Sequence, residues 1–145
     1  MREIKFRVYD KIKQKMFTGG SCMDVSQTQG VDRWVFGIDL FNHPDDVEIM
    51  QYTGLKDKNG KEIYEGDIVR MPADLWIGSE SVGVAKGTFR DDAFIEFVDG
   101  SFRLNKLGDE SKNYYGIVNY STNNQSDKLE VIGNIYENKE LLNDK

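Results

Sequence analysis

The residues able to do chemistry are few, and their spacing is poor for it. His43 is the only histidine and Cys22 the only cysteine. A Ser or Cys nucleophile usually works with a base beside it, but His43 stands next to Pro44 in a polar turn. Cys22 lies in a loop without a flanking basic pair and reads as an ordinary thiol. One His and one Cys do not make up the common zinc sets within one chain, which leaves a weak site of His43 with Asp45, Asp46 or Glu48 at most. Asp57, Asn59 and Glu62 could be taken for a calcium loop. An EF-hand, however, has oxygen ligands at positions one, three and five, Gly at six and Glu at twelve, whereas here Gly60 falls at four and Glu62 at six. The same residues read as a plain turn. Asp91-Asp92 reads as a hairpin tip and Asp109-Glu110 as a solvated loop, rather than as the carboxylate pair of a glycosidase. Gly83-Val-Ala-Lys-Gly87 has neither the Walker spacing nor the Gly-x-Gly-x-x-Gly pattern of a phosphate cradle. The expectation is a chain with no catalytic, cofactor-binding or metal-ligating residues, and so not an enzyme.

What remains is the scaffold. At 145 residues the chain fits one domain with a core of its own. A lone cysteine makes no internal disulfide, and no apolar run approaches the ~18 residues of a membrane span or the core of a signal peptide. Both facts point to the reducing cytoplasm, where the sequons Asn119-Tyr-Ser and Asn124-Gln-Ser are chance matches. The net charge of −6, with a pI near 4.8, disfavours a generic affinity for phosphate backbones, because such affinity rests largely on cationic neutralisation.

Ile4, Phe6 and Val8 alternate with Glu3, Lys5 and Arg7, the period-two pattern of a strand with one wet face. Lys15-Met16-Phe17 can return beside it, residues 21–30 form a loop, and Trp34 to Phe41 is a second apolar strand. Asn42 to Asp46 reads as a turn or as a single helical turn with Pro44 at its first position and Asp45 and Asp46 near its positive end. Residues near 49–55 should pair with 61–64 across a type I′ turn centred on Asn59-Gly60. Glu65-Gly66-Asp67 then reverses the chain into Ile68-Val69, and that strand stops at Pro72. Residues 73–81 are a long excursion. Val82 to Arg90, Ala93 to Val98, Ser101 to Leu104, Tyr114 to Tyr120 and Leu129 to Ile132 follow as short strands, with Asp99-Gly100 a two-residue hairpin. Asn138 should cap a helical turn at 139–142 whose two leucines dock on the core. Short strands at spacings of about ten residues predict a mainly β protein. We expect a small SH3-like barrel over about 62–135, a β-rich N-terminal portion over about 1–61 and one short C-terminal helical turn, all within a single domain.

The run Tyr52-Thr-Gly-Leu-Lys-Asp-Lys-Asn-Gly-Lys-Glu-Ile-Tyr-Glu-Gly-Asp-Ile-Val resembles the signature of the YopX family, small proteins carried by bacteriophages and prophages. The opening Lys5-Phe6-Arg7-Val8-Tyr9-Asp10 with Lys15-Met16, and the ending Glu130 to Asn138 with Leu141-Leu142, resemble that family's two ends. Tyr9 stands where a tryptophan would be expected, and Lys139 where a proline would be. The resemblance implies an accessory protein of a phage or prophage, acting in the bacterial host, and names no chemistry.

The leading reading of function is therefore a protein-interaction module that binds a host or phage protein through aromatic side chains. Two Trp, seven Tyr and eight Phe are available, and Tyr and Trp are favoured at binding hot spots. The candidate surface is Trp34, Phe36, Tyr52, Tyr64 and Trp76. The bland alternative makes Tyr52, Tyr64, Tyr114, Tyr115 and Tyr120 cross-strand pairs and core rims. A second reading is a nucleic-acid-binding β-barrel with a basic hairpin of Lys5, Arg7, Lys11, Lys13 and Lys15, weighed against a solvated strand on which lysines are common. A hydrolytic enzyme built on His43 has least support. Finally, Phe6, Val8, Trp34, Phe36, Leu40 and Phe41 exceed what a hairpin can bury against itself, so a homo-oligomer is expected over a monomer whose N-terminal portion caps the barrel.

Overall fold

The structure is a computed structural model that describes residues 3–18, 44–72, 91–108, 114–116 and 126–143. Among the described residues it is mostly β, with two antiparallel sheets and a single α-helical turn. The polypeptide divides into two compact units, Met1–Tyr52 and Thr53–Lys145.

In the first unit the alternating segment near the N-terminus forms β1 (Phe6–Asp10), which pairs antiparallel with β2 (Lys15–Thr18) and with the first half of β3 (Val47–Lys56). The turn from β1 to β2 is held by Asp10, whose Oδ1 accepts hydrogen bonds from the backbone N–H of Ile12 (3.0 Å) and Lys13 (2.8 Å). Pro44–Asp46 is a 3-10 turn that leads into β3, as the Pro-Asp-Asp sequence predicts. The register sets Val8 opposite both Phe17 and Ile49. Residues directly opposite on antiparallel strands share a face, so these three side chains form one apolar row across three strands.

In the second unit β3 continues to Lys56 and, across the loop Asp57–Lys61, faces β4 (Glu62–Tyr64). The second sheet has the order β8-β7-β6-β5-β9 and curls into a half-barrel, consistent with the SH3-like expectation. Its strands are β5 (Asp67–Met71), β6 (Asp91–Val98), β7 (Ser101–Lys106), β8 (Tyr114–Gly116) and β9 (Glu130–Asn134). One core organises this unit: Ile63, Val69, Met71, Ala93, Ile95, Leu104 and Leu129 are buried together, with Leu55, Phe102 and Val131 packed against them. The larger of the fully buried side chains each contribute about 1.5–3 kcal/mol. The β6–β7 hairpin turns on Asp99 (φ 50°) and Gly100 (φ 79°); it is the expected two-residue hairpin, and two consecutive positive φ values make its turn type I′.

Three expectations need correction. Asp91 and Asp92 are no hairpin tip: they begin β6, where Asp92 lies opposite Arg70 and accepts from its Nε (3.1 Å) and Nη2 (3.4 Å). An acid is tolerated in that strand because a cross-strand guanidinium answers it, and the same bonds push the Arg70 pKa further up. Asn138 does not cap the terminal helix α1 (Glu140–Asn143) with its side-chain oxygen. That oxygen instead accepts from the Asn134 N–H at 3.2 Å, while Nδ2 donates to Glu140. Of the two leucines, only Leu141 packs, within 2.8 Å of where a Cβ on Gly133 would sit, while Leu142 is exposed. A four-residue helix presents too narrow a face to bury both.

Candidate functional site

The stretch with the most specific chemistry is the loop joining β3 to β4, and its chemistry is structural. Asp57 is buried, and its carboxylate accepts three backbone hydrogen bonds. Oδ1 takes the N–H of Asn59 (2.8 Å) and of Lys61 (2.9 Å); Oδ2 takes the N–H of Val131 in β9 (3.0 Å). Alongside, Lys58 N–H donates to the Leu129 carbonyl (2.9 Å), and Lys58 Nζ meets Glu130 at 2.7 Å. The loop is thus stitched to the outer side of β9, the terminal strand of its sheet. Burial by itself pushes the Asp57 carboxyl up, but the N–H groups of Val131, Lys61 and Asn59 and the charge of Lys61 together outweigh it and hold the pKa below its ordinary value. An ionised carboxylate saturated by the protein's own N–H groups has little left to offer a cation.

The turn type differs from the expected I′. Gly60 N–H donates to the Asp57 carbonyl, Asp57 N–H donates to the Lys61 carbonyl, and only Gly60 has positive φ (80°) while Asn59 does not. That is a type I turn closed by a left-handed glycine, the usual form of a three-residue hairpin loop. Asp57 supports it, because one of its carboxylate oxygens accepts two of the following N–H groups in this geometry.

A second lock follows within a few residues. Asp67, also buried, accepts from the Tyr64 N–H at 2.8 Å, while Gly66 donates its N–H to Ile95 and accepts from the Ile135 N–H. Gly66 is at φ 78°, where glycine alone is unstrained. The conspicuous residues of this stretch, Asp57, Gly60, Gly66 and Asp67, all serve chain reversals and their anchoring.

Of the candidate interaction residues, Tyr52 is 5% exposed and Tyr64 6% exposed; both lie in the interior, and Tyr64 donates its hydroxyl to Glu62 at 2.8 Å. Rings so placed are not surface groups, the bland alternative for these two. Trp34, Phe36 and Trp76 lie outside the described residues, as do Leu40, Phe41, Cys22, His43, Asp109-Glu110, the strands predicted at 34–41 and 82–90, and the loop at 21–30. Exposed apolar groups that the sequence did not single out are Ile12 in the β1–β2 turn, Ile49 in β3 (45% exposed) and Phe97 near the end of β6 (47% exposed), whose ring meets Phe102 edge-on at 5.0 Å. Strand parity places Phe97 on the same face as Ala93 and Ile95. It emerges because the hairpin runs past the end of the core.

The basic hairpin is extensively matched within its own unit. Arg7 is buried, Lys5 lies 3.2 Å from Glu3 and over the Tyr52 ring, Lys11 bridges Glu48 at 2.6 Å, and Lys13 is 3.6 Å from Asp10. Lys15 sits 5.3 Å from the centre of the Phe17 ring. Among the described residues no group of three or more His, Cys, Asp or Glu side chains is placed to hold a metal ion, and no helix is long and apolar enough to cross a membrane.

Fold and loop together define a small, mainly β protein whose central motif is an architectural clamp. The family described as YopX protein matches residues 5–143, and the chain belongs to the YopX family. The crystal structure of protein EF1440 from Enterococcus faecalis is similar to it: 26% sequence identity and a TM-score of 0.56, covering 98% of this chain and 99% of that one. No curated protein matches the chain.

Proposed function

We propose that the protein is a non-catalytic accessory module of a phage or prophage, working in the cytoplasm of the bacterial host by protein–protein association, with a second copy of itself as its first partner. One observation carries the reading: the row Phe17–Val8–Ile49 crosses the three described strands of the N-terminal unit and ends in an isoleucine 45% exposed to solvent. A contiguous apolar row reaching the surface is the usual beginning of an association face. Face packing is favoured over strand addition at β9, since Asp57 and Lys58 already occupy backbone groups on that strand's outer side. The net charge of −6 opposes random aggregation while permitting one defined contact.

Light scattering coupled to size exclusion tests it. The expected mass is a multiple of one chain at micromolar loading, and Ile49→Glu, a change at an exposed position, should return it to one chain that still melts cooperatively. A single-chain mass for the unsubstituted protein would sink the self-association. Nucleic-acid binding is the lesser reading, because the lysines that would serve it have acidic or aromatic neighbours.

A further inference from the structure

Asn59-Gly60 is the only Asn-Gly pair in the chain, and it sits at the tip of the clamped loop with both residues exposed. A glycine after asparagine leaves its amide nitrogen unhindered, and a Cβ built at Gly60 would meet nothing within 4 Å, so water has open access. We propose that Asn59 is a site of spontaneous deamidation, and that the Asp57 clamp sets its rate. Solvent hydroxide removes the proton from Gly60 N, and the nitrogen pair attacks Asn59 Cγ. The tetrahedral carbon expels Nδ2, which takes a proton from water and leaves as ammonia, so that a five-membered imide remains. Water then adds to either imide carbonyl and reopens the ring as aspartate or isoaspartate. One water enters, one ammonia leaves, and nothing is oxidised or reduced.

The folded loop opposes each requirement of that attack. Gly60 N–H is engaged by the Asp57 carbonyl at 2.9 Å, and the N–H groups of Asn59 and Lys61, on either side, are both held by Asp57 Oδ1. The backbone rotation that would carry Gly60 N to Asn59 Cγ breaks these bonds. Release is equally consequential in the other direction. Isoaspartate runs the chain through the side-chain carbon and inserts one extra backbone atom between residues 59 and 60, so the loop can no longer present Asp57 Oδ2 to Val131 and Lys58 N–H to Leu129 together. The modification therefore frees the outer side of β9.

The test follows, by fragment ions that place the mass gain at residue 59, the glutamyl-endopeptidase peptide 49–62 from the intact protein aged in mildly alkaline buffer, natively and in urea, beside an Asp57→Asn variant and an Asn59→Gln control. Deamidation adds about one dalton. The urea sample should gain it at least roughly fivefold faster than the native one, the factor expected for each backbone hydrogen bond that must open. Asp57→Asn should fall between them, and Asn59→Gln should stay flat. If Asp57→Asn does not fold, it will age at the urea rate, and the native-against-urea ratio of the natural sequence alone decides. Equal native and urea rates, or a mass gain in urea confined to other peptides, would overturn the assignment. Hydrogen exchange on the aged protein reads the consequence: the Val131 amide should lose protection in step with isoaspartate, and retained protection would overturn that part.

Discussion

Two hairpin turns of the Thr53–Lys145 unit use nearly the same residues and hold by different means. Asp57 to Gly60 and Asp99-Gly100 both pair an acid with a left-handed glycine. At Asp99-Gly100 the acid is exposed, and its backbone takes the left-handed conformation itself. The turn is made by dihedral geometry, with Ser101 Oγ donating to the Val98 carbonyl at 3.3 Å across it, and its acid takes no part. At Asp57 the acid is buried, its backbone is ordinary, and its carboxylate gathers three N–H groups, one of them 74 residues away. The lesson is that a turn motif in the sequence states where the chain reverses, whereas the burial of its acid decides whether the turn also joins distant strands.

The sharpest way to break the contrast is to remove each carboxylate. Asp57→Ala leaves the N–H of Val131 and of Lys61 without their acceptor, and we expect a loss of about 3 kcal/mol in urea unfolding, since stranding a donor costs about 1–3 kcal/mol. Asp99→Ala should cost about 1 kcal/mol, the strain of alanine at φ 50°. Losses of equal size would show that the long-range bonds contribute nothing. Next, Gly60→Ala and Gly100→Ala should each cost about 1–2 kcal/mol, and by similar amounts, because both glycines have positive φ and open space for a Cβ. A large difference between them would mean that the clamp adds strain of its own.

Acid separates the turns further. The Asp57 pKa is lowered in the fold from its ordinary value of 3.8, so the folded state favours the ionised form. The resulting stability is fully present above 3.8 and is lost as pH falls through the lower, folded value. Asp57→Asn should flatten the acid limb of a stability-against-pH curve, measured by urea unfolding at each pH. The smallest effect is expected for Asp99→Asn, within about 0.5 kcal/mol of zero, since asparagine tolerates positive φ as well as aspartate does.

Much of this fold was legible in the chain because it rests on local rules. The alternation of Phe6 and Val8, the turn at Pro44, the reversal at Glu65-Gly66 and the two-residue hairpin at Asp99-Gly100 all follow from residue type at one place. The clamp was legible only as a turn, because its decisive partner, Val131, is adjacent in space and remote in sequence. Asp92 misled for the same reason, its acceptability in a strand depending on Arg70 opposite. The candidate surface fared likewise. Tyrosine suits a hot spot and a core rim equally well, and only the extent of the packed core places Tyr52 and Tyr64 inside while leaving Ile49 and Phe97 out.

The reach of the Asp57 carboxylate also orders events in time. Its bonds to Asn59 and Lys61 close within four residues and can form as soon as the hairpin does, on the microsecond scale of such loops. The bond to Val131 must wait until the chain has been made as far as β9 and that strand has docked on β5, a slow, non-local step. During synthesis the hairpin is therefore shaped before it is anchored, and seating β9 is what converts a local turn into a closed unit.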